Sequence, residues 1–362
     1  MARYVLWQSS DIKDYKKFPK EDIHTDQPYL FSKMDAKPVT QEVLYHWDLP
    51  RKNIETLLQD NETTAFIVIR NDSILYENYF NGYERSSINT SFSVAKSITS
   101  LLVGIAIDDG FIKSSSDPIT NYLPELKQRD ARFEKITIDH LLDMKSGIKF
   151  IDSDLPWGDR VKAYYSPRLR KKLLYLTIES DPGVTYEYNT YHPQLLGLIL
   201  ERTTGKSPAR YLEEKIWKPL GMEFDASWSL DSKRDKMVKM ESGINCRAID
   251  VAKIGKIILE KGKYNNKRIV SEAWIEKLTD YNDTNRFPRN NLIHYQSAWW
   301  TLEPYRGYRH AVYADGHLGQ FLFIFPEDNT IIVRMGKKMG KDTESVLNWL
   351  VIGSDIIKHL NK

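Results

Sequence analysis

The stretch SFSVAKSITSLLVGIAIDDG (91–110) carries a serine and a lysine three residues apart, Ser93 and Lys96, at the start of a long apolar run. Residues i and i+3 share one face of a helix, with Cβ atoms about 5–6 Å apart, so the two side chains can meet. The run that follows is apolar nearly all round, which predicts a buried helix over 93–109. Burial disfavours an ammonium, so Lys96 is expected to lie closer to neutral than a surface lysine and to be able to act as a base. A serine beside such a base is a nucleophile for acyl transfer. The plainer reading is a helix cap followed by a snorkelling lysine. Ser-x-x-Lys occurs three times, but Ser10–Lys13 lies in a polar stretch and Ser146–Lys149 straddles Gly147 at an expected helix end. Only Ser93–Lys96 opens a buried helix, and no G-x-S-x-G nucleophile elbow occurs.

On either side of this helix the pattern changes. AFIVIRNDSILYENYF (65–80) alternates and breaks at Asn71-Asp72, which predicts a β-hairpin, because Asn and Asp tolerate the positive φ that such turns need. GQFLFIFPEDNTIIVRM (319–335) repeats the signature with a turn at 326–329, and SAWWTL (297–302) reads as a further strand. The middle is helical and clearly punctuated. Thr137 is the expected N-cap and Gly147 the C′ of one helix, Pro193 and Gly205 bracket a second, and Ser207, Pro208 and Pro219 frame a third. RAIDVAKIGKIILEKG, SEAWIEKL and the amphipathic TESVLNWLVIGSDIIKHL complete the set. The fold class expected is α+β: an antiparallel sheet built from both chain ends and flanked by helices, with an all-α inserted domain. The expected divisions are an N-terminal extension (1–50), a discontinuous α/β domain (51–114 and 286–362) and a mainly helical domain (115–285), with the active site between the last two.

The 362 residues carry a net charge of +3, 41% apolar and 28% charged residues, the profile of an ordinary globular protein. That charge is too small, and too evenly spread, to point to nucleic acid. One cysteine, Cys246, excludes an internal disulfide and any cysteine-based metal cluster. With no H-E-x-x-H spacing among the histidines, neither a metal nor a cofactor is expected. The longest apolar run, Ile98–Ile107, falls well short of the ~20 residues of a membrane span. The first residues lack a signal-peptide pattern, so the chain as given reads as cytoplasmic, with a removed signal or N-terminal anchor as the alternative.

Three separated motifs resemble the serine penicillin-recognising superfamily, above all class C β-lactamases and their esterase and 6-aminohexanoate-dimer hydrolase relatives. They are SFSVAKS at Ser93 and Lys96, PGVTYEYNTYHPQLLG (182–197), and GHLGQFLFIF (316–325). The resemblance runs from about residue 60 to 350 and implies a β-lactamase/transpeptidase-like fold. It also implies that Ser93 attacks a carbonyl while Lys96 and Tyr188 handle its proton, Lys96 favouring the tyrosinate. The family's K-T-G or H-x-G strand would fall on His317-Leu318-Gly319. The backbone N–H groups of Ser93 and Gln320 would then hold the oxyanion, and Gly319 would let substrate approach the strand edge.

Two departures matter. Thr190 stands where the family has an asparagine that grips a β-lactam side chain, and His317 replaces a permanent cation with a group whose reference pKa is ~6.5. Both point away from penicillins and toward an esterase or linear-amide hydrolase. Trp157, Tyr164 and Tyr165 either line the acyl pocket or plug the long 150–172 segment, and Trp299-Trp300 is expected in the core. The expected function is a cofactor-independent serine hydrolase that forms an acyl-enzyme on Ser93 and cleaves small-molecule esters or amides of small carboxylic acids. The alternatives are a D-aminopeptidase or D,D-peptidase, a weak β-lactamase, or a catalytically silent penicillin-binding-like module.

Overall fold

The computed structural model describes residues 2–7, 9–34, 42–46, 49–280, 292–305, 308–343 and 345–361. Its main sheet runs, edge to edge, Ile293–Gln296, Trp299–Leu302, Ala311–Gly316, Gln320–Phe325, Thr330–Gly336, Thr63–Arg70, Ser73–Tyr79 and Ser32–Lys33. Neighbours are antiparallel except the last pair, which is parallel. The two hairpins read from the sequence meet at the centre, where Thr330–Gly336 pairs with Thr63–Arg70. Their turns are left-handed as expected, with φ of 49° and 61° at Asn71 and Asp72 and 46° at Asn329.

Alternation along these central strands makes two cores. Ala65, Ile67, Ile69, Leu322, Ile324, Ile331 and Val333 face the helices Val94–Asp108 and Ala248–Leu259. Phe66, Val68, Phe321, Phe323 and Ile332 face Ile54–Asp60 and the last helix, Val346–Leu360. A sheet covered on both faces needs apolar residues at every position, and both central strands are buried nearly end to end. Ala248–Leu259 lies inside the segment read as helical, yet it packs on the sheet: a Cβ on its Gly255 would sit 3.2 Å from Ile331 and from Leu322.

Three local expectations are corrected. The third strand starts at Trp299, because Ser297 and Ala298 (φ 49° and 62°) form a two-residue turn after Ile293–Gln296. Tertiary bonds hold that turn: Ser297 N–H donates to Asp143 (2.7 Å), Ala298 N–H to Leu142 O (3.0 Å), and Ser97 Oγ to Ala298 O (2.7 Å). The helix capped by Thr137 ends at Leu142 rather than at Gly147. Met144 (φ 58°) is its C′ residue, and Lys145 N–H closes a Schellman bond to His140 O at 2.8 Å. The inserted segment is not wholly helical either. Ala226–Ser229 and Ile244–Cys246 form a small antiparallel sheet with Lys20–Ile23 and Asn89–Thr90, which ties the N-terminal region to the chain just before Ser93.

Arg334 points from the centre of the sheet with no solvent exposure and no carboxylate partner among the described residues. Its guanidinium donates to Gly319 O (2.8 Å), Asn61 O (2.8 Å), Lys338 O (2.9 Å) and Thr63 Oγ1 (3.1 Å), and stacks 4.1 Å over Trp349. Removing one side of such a buried network leaves the other side unsatisfied. Arg334→Met should therefore lower unfolding stability by about 3 kcal/mol in urea titrations, and a loss under about 1 kcal/mol would contradict this assignment.

Candidate active site

Phe92 is held in the left-handed region (φ 47°), a strained position for a non-glycine residue, and it turns the chain sharply into the helix Val94–Asp108. Ser93 is the residue that caps this helix, and Lys96 follows one turn later. Lys96 is 2% exposed. Its Nζ lies 2.7 Å from Ser93 Oγ, donates to Glu241 O at 2.9 Å and sits 5.0 Å over the Tyr188 ring. Burial pulls the Lys96 amine down to about 7, partly opposed by the charges of Glu241 and Asp315 and helped by Arg160. A neutral amine hydrogen-bonded to a serine hydroxyl is a general base in place.

Tyr188 hydrogen-bonds Ser93, and that bond lowers its pKa. Burial dominates, however, and pushes the phenol well above its ordinary value. This environment disfavours the tyrosinate that the resemblance implies and favours a neutral phenol.

These groups open into a cavity of about 1030 Å³. Ser93, Lys96, Tyr188, Thr190 and His317 all reach it, as do Tyr164 and Tyr165. Thr190 Oγ1 has no hydrogen-bond partner among the described residues. The His317 ring packs edge-on against Phe92 at 5.3 Å, and burial lowers its pKa below the ordinary value, so it offers no fixed cation. Trp157 does not line the wall and is 60% exposed. Of the tryptophan pair, Trp299 is core as expected, whereas Trp300 lines the cavity.

Gly319 and Gln320 are not brought to the cavity, which corrects their expected roles. The strand ends at Gly316, and residues 317–319 form the turn into Gln320–Phe325. Gln320 is fully buried, its amide donating to Gly336 O (2.6 Å) and His317 O (3.2 Å). Gly319 lacks a side chain for Arg334, since a Cβ would fall 1.8 Å from Nη1. The close approach occurs three residues earlier, at Gly316, where a Cβ would lie 2.4 Å from Ser91 O. Gly316 O accepts from Gly319 N–H at 3.1 Å on the side of the next strand. In a trans peptide the following N–H points the opposite way, so His317 N–H faces the other edge. Trp299–Leu302 pairs this strand only as far as Tyr313, so among the described residues that edge has no strand partner beyond it.

Sequence reasoning missed Asp315, Glu241, Arg160, Tyr186 and Trp300, all of which line the cavity. Asp315 had a signal: a carboxylate closing an otherwise apolar strand, Ala311–Gly316. Burial raises it to about 7, against the pull of Lys96. Four carboxylates, Asp152, Asp154, Glu241 and Asp315, share the wall with two basic side chains, Lys96 and Arg160. Acidic side chains thus outnumber basic ones on the wall, although Arg160 pairs with both Asp152 and Asp154 and Lys239 pairs with Glu241.

Residues 51–354 match the Beta-lactamase family model, and the chain belongs to that family. It is 27% identical over 348 residues to the 6-aminohexanoate-dimer hydrolase of Paenarthrobacter ureafaciens, covering 90% of this chain and 84% of the relative. Among solved structures it superposes with a TM-score of 0.86 on a Bacillus anthracis protein provisionally named a 6-aminohexanoate-dimer hydrolase, at 25% identity over 99% of this chain and 95% of the other. A hydrolase with promiscuous acyltransferase activity shares the fold, with a TM-score of 0.68 at 15% identity over 84% of this chain and 96% of its own. The chain is thus a β-lactamase-family hydrolase with an α+β fold, and among the described residues no helix is long and apolar enough to cross a membrane.

A lysine with a folded pKa near 7 and an unfolded value near 10.4 binds fewer protons folded than unfolded between those limits, so its burial costs stability at neutral pH and that cost fades as pH rises. Lys96→Met removes the cost. Relative to wild type, its stability advantage should shrink by about 2 kcal/mol or more between pH 7 and pH 10 in urea titrations. A difference independent of pH would mean that Lys96 is not depressed.

Proposed function

We propose that the protein is a serine hydrolase that forms an acyl-enzyme on Ser93 and cleaves esters or amides of small carboxylic acids. One observation carries the reading: Ser93 Oγ lies 2.7 Å from the Lys96 amine, whose pKa is about 7, and hydrogen-bonds the neutral Tyr188 phenol, all three lining a large cavity. Near neutral pH about half of Lys96 is free to accept a proton, which suits a base at working pH.

In this reading Lys96 takes the Ser93 proton as Oγ bonds to the substrate carbonyl carbon. The carbonyl oxygen becomes an oxyanion between the N–H groups of Ser93 and His317, the second donor moving from Gln320 to the peptide after Gly316. As the tetrahedral species collapses, Tyr188 gives its proton to the departing oxygen or nitrogen and is refilled from the Lys96 ammonium. Water then attacks the acyl carbon, Lys96 again accepting its proton, and as the C–Oγ bond breaks the Lys96 ammonium returns that proton to Ser93 Oγ and the acid leaves.

The acid-rich wall favours substrates whose flanking arms are neutral or cationic. The dimer in the name of the Paenarthrobacter relative is an amide with an amine at one end and a carboxylate at the other, and its amine end fits that charge. His317 reinforces this selectivity, because burial keeps it neutral where a lysine would have supplied a cation.

Fluorophosphonate treatment followed by intact-mass measurement tests the nucleophile. One adduct is expected on the native chain and none on Ser93→Ala, with loss of nitrophenyl ester hydrolysis. Labelling that persists in Ser93→Ala, on Ser10 or Ser146, would contradict the assignment. Charge selectivity is checked with nitrophenyl esters of matched length at pH 7.5. Cationic and neutral acyl arms should exceed the anionic one in kcat/KM by about tenfold, a difference of about 1.4 kcal/mol, and nitrocefin should turn over poorly. Efficient nitrocefin hydrolysis would show that another group grips its carboxylate.

A further inference from the structure

Behind Lys96 lies a second buried lysine that the chemistry above does not use. Lys239 is 1% exposed, and its ammonium donates to Glu241 Oε1 at 2.8 Å and to Tyr164 O at 2.6 Å. It also sits 4.4 Å over the Tyr164 ring and 4.7 Å over Phe18. Glu241 is 3% exposed, and its carboxylate further accepts from Ser242 Oγ (2.9 Å) and from the Gln194 amide. The main-chain oxygen of this same Glu241 accepts from Lys96 Nζ. An ion pair taken out of water gives little net stability compared with apolar residues of the same size. Its placement against the base calls for another reason.

The network continues outward. The Tyr164 hydroxyl donates to Asp14 Oδ2 at 2.6 Å, and Asp14, 1% exposed, also pairs with Lys17 at 2.8 Å. Ile12 O accepts from Thr90 N–H at 2.9 Å, three residues before Ser93. Residues 12–18 lie outside the 51–354 family match, yet they hold the Tyr164 hydroxyl, and the main-chain oxygen of Tyr164 in turn holds Lys239.

We propose that the Lys239–Glu241 pair is a positioning device for Lys96. Held by Lys239, Ser242 and Gln194, Glu241 fixes the carbonyl that aims the Lys96 amine at Ser93. Its carboxylate charge, balanced by Lys239, sets how readily that amine gives up its proton. The N-terminal segment holds Tyr164, and through it Lys239, in place. This inference rests on the proposed role of Ser93 and Lys96. The charged groups acting on Lys96 are Glu241 and Asp315, which favour its ammonium, and Arg160, which opposes it. Lys239 touches Glu241 and so acts through it.

The signs are opposite for the two partners. Glu241→Gln keeps the shape and the main-chain carbonyl but removes the negative charge, so Lys96 loses its proton at lower pH. Lys239→Met leaves the carboxylate unbalanced, so Lys96 holds its proton to higher pH. The test is kcat/KM for a neutral nitrophenyl ester from pH 5 to 9 in both variants and in the double variant. The acid limb should move down by about one pH unit in Glu241→Gln and up by a similar amount in Lys239→Met, a tenfold rate change on the limb for each unit, and should return near the native position in the double variant. A merely structural pair would lower the plateau and leave the limb where it is, and that result, or shifts of the same sign, would overturn the proposal. Lys239→Arg should restore both plateau and limb if the cation is what matters. Hydrolysis that survives in Ser93→Ala would overturn the proposed function and this inference together, whereas Ser93-dependent turnover with an unmoved limb overturns this inference alone.

Discussion

The burial of one amine organises this molecule. Lys96 sits in a helix apolar on nearly every face and is 2% exposed, so its ammonium would lose most of its hydration. Desolvation therefore pulls it toward neutrality, and two hydrogen bonds, to Ser93 Oγ and Glu241 O, fix its direction. The fold supplies the low dielectric by packing the helix against the alternating residues of the sheet. The left-handed Phe92 supplies the turn that brings Ser93 to the start of the same helix. Strain and a depressed lysine both cost stability, and both occur within five residues of each other, as expected of a site shaped for chemistry rather than for rigidity.

The same desolvation assigns the other roles. It raises Tyr188, which makes the phenol a proton donor and leaves the lysine as the group that can be neutral at working pH. It raises Asp315 to about 7 and lowers His317, so the strand end beside Ser93 carries no fixed positive charge. In the proposed mechanism these two groups, driven in opposite directions by their surroundings, are the acid and the base. The carboxylates of the wall then bias which substrates approach.

What could be read from the sequence was what depends on short spacing. Ser93 and Lys96 are three residues apart on a helix, so their meeting follows from helix geometry and from the apolar run behind them. The two hairpins followed from alternation broken by Asn and Asp at left-handed turns. Tyr188 came from motif register. The misses share a cause in long-range packing. H-x-G at 317–319 and D-G at 315–316 are equally plausible strand ends in one dimension, and only the pairing of Gly316 with Gln320 shows which glycine lies against Ser91. Met144 ends a helix as a left-handed residue because Ala298 and Ser297 dock on its last turn, contacts more than 150 residues away in sequence. Glu241, Lys239 and Asp14 are common polar residues with no local pattern, and their burial in one network is a property of the fold alone.

The central claim is that Lys96 gives up its proton near neutral pH in the resting protein, about half of it being free amine at pH 7. Direct titration of its side chain tests this, with lysine 13C-labelled at Cε and the Lys96 resonance assigned by its loss in Lys96→Met. The account predicts a single signal that titrates with a midpoint near 7, well apart from the surface lysines near 10.4. A Lys96 signal that titrates with the surface lysines would contradict it, and with it the reading of Ser93 as a nucleophile activated by a buried neutral amine.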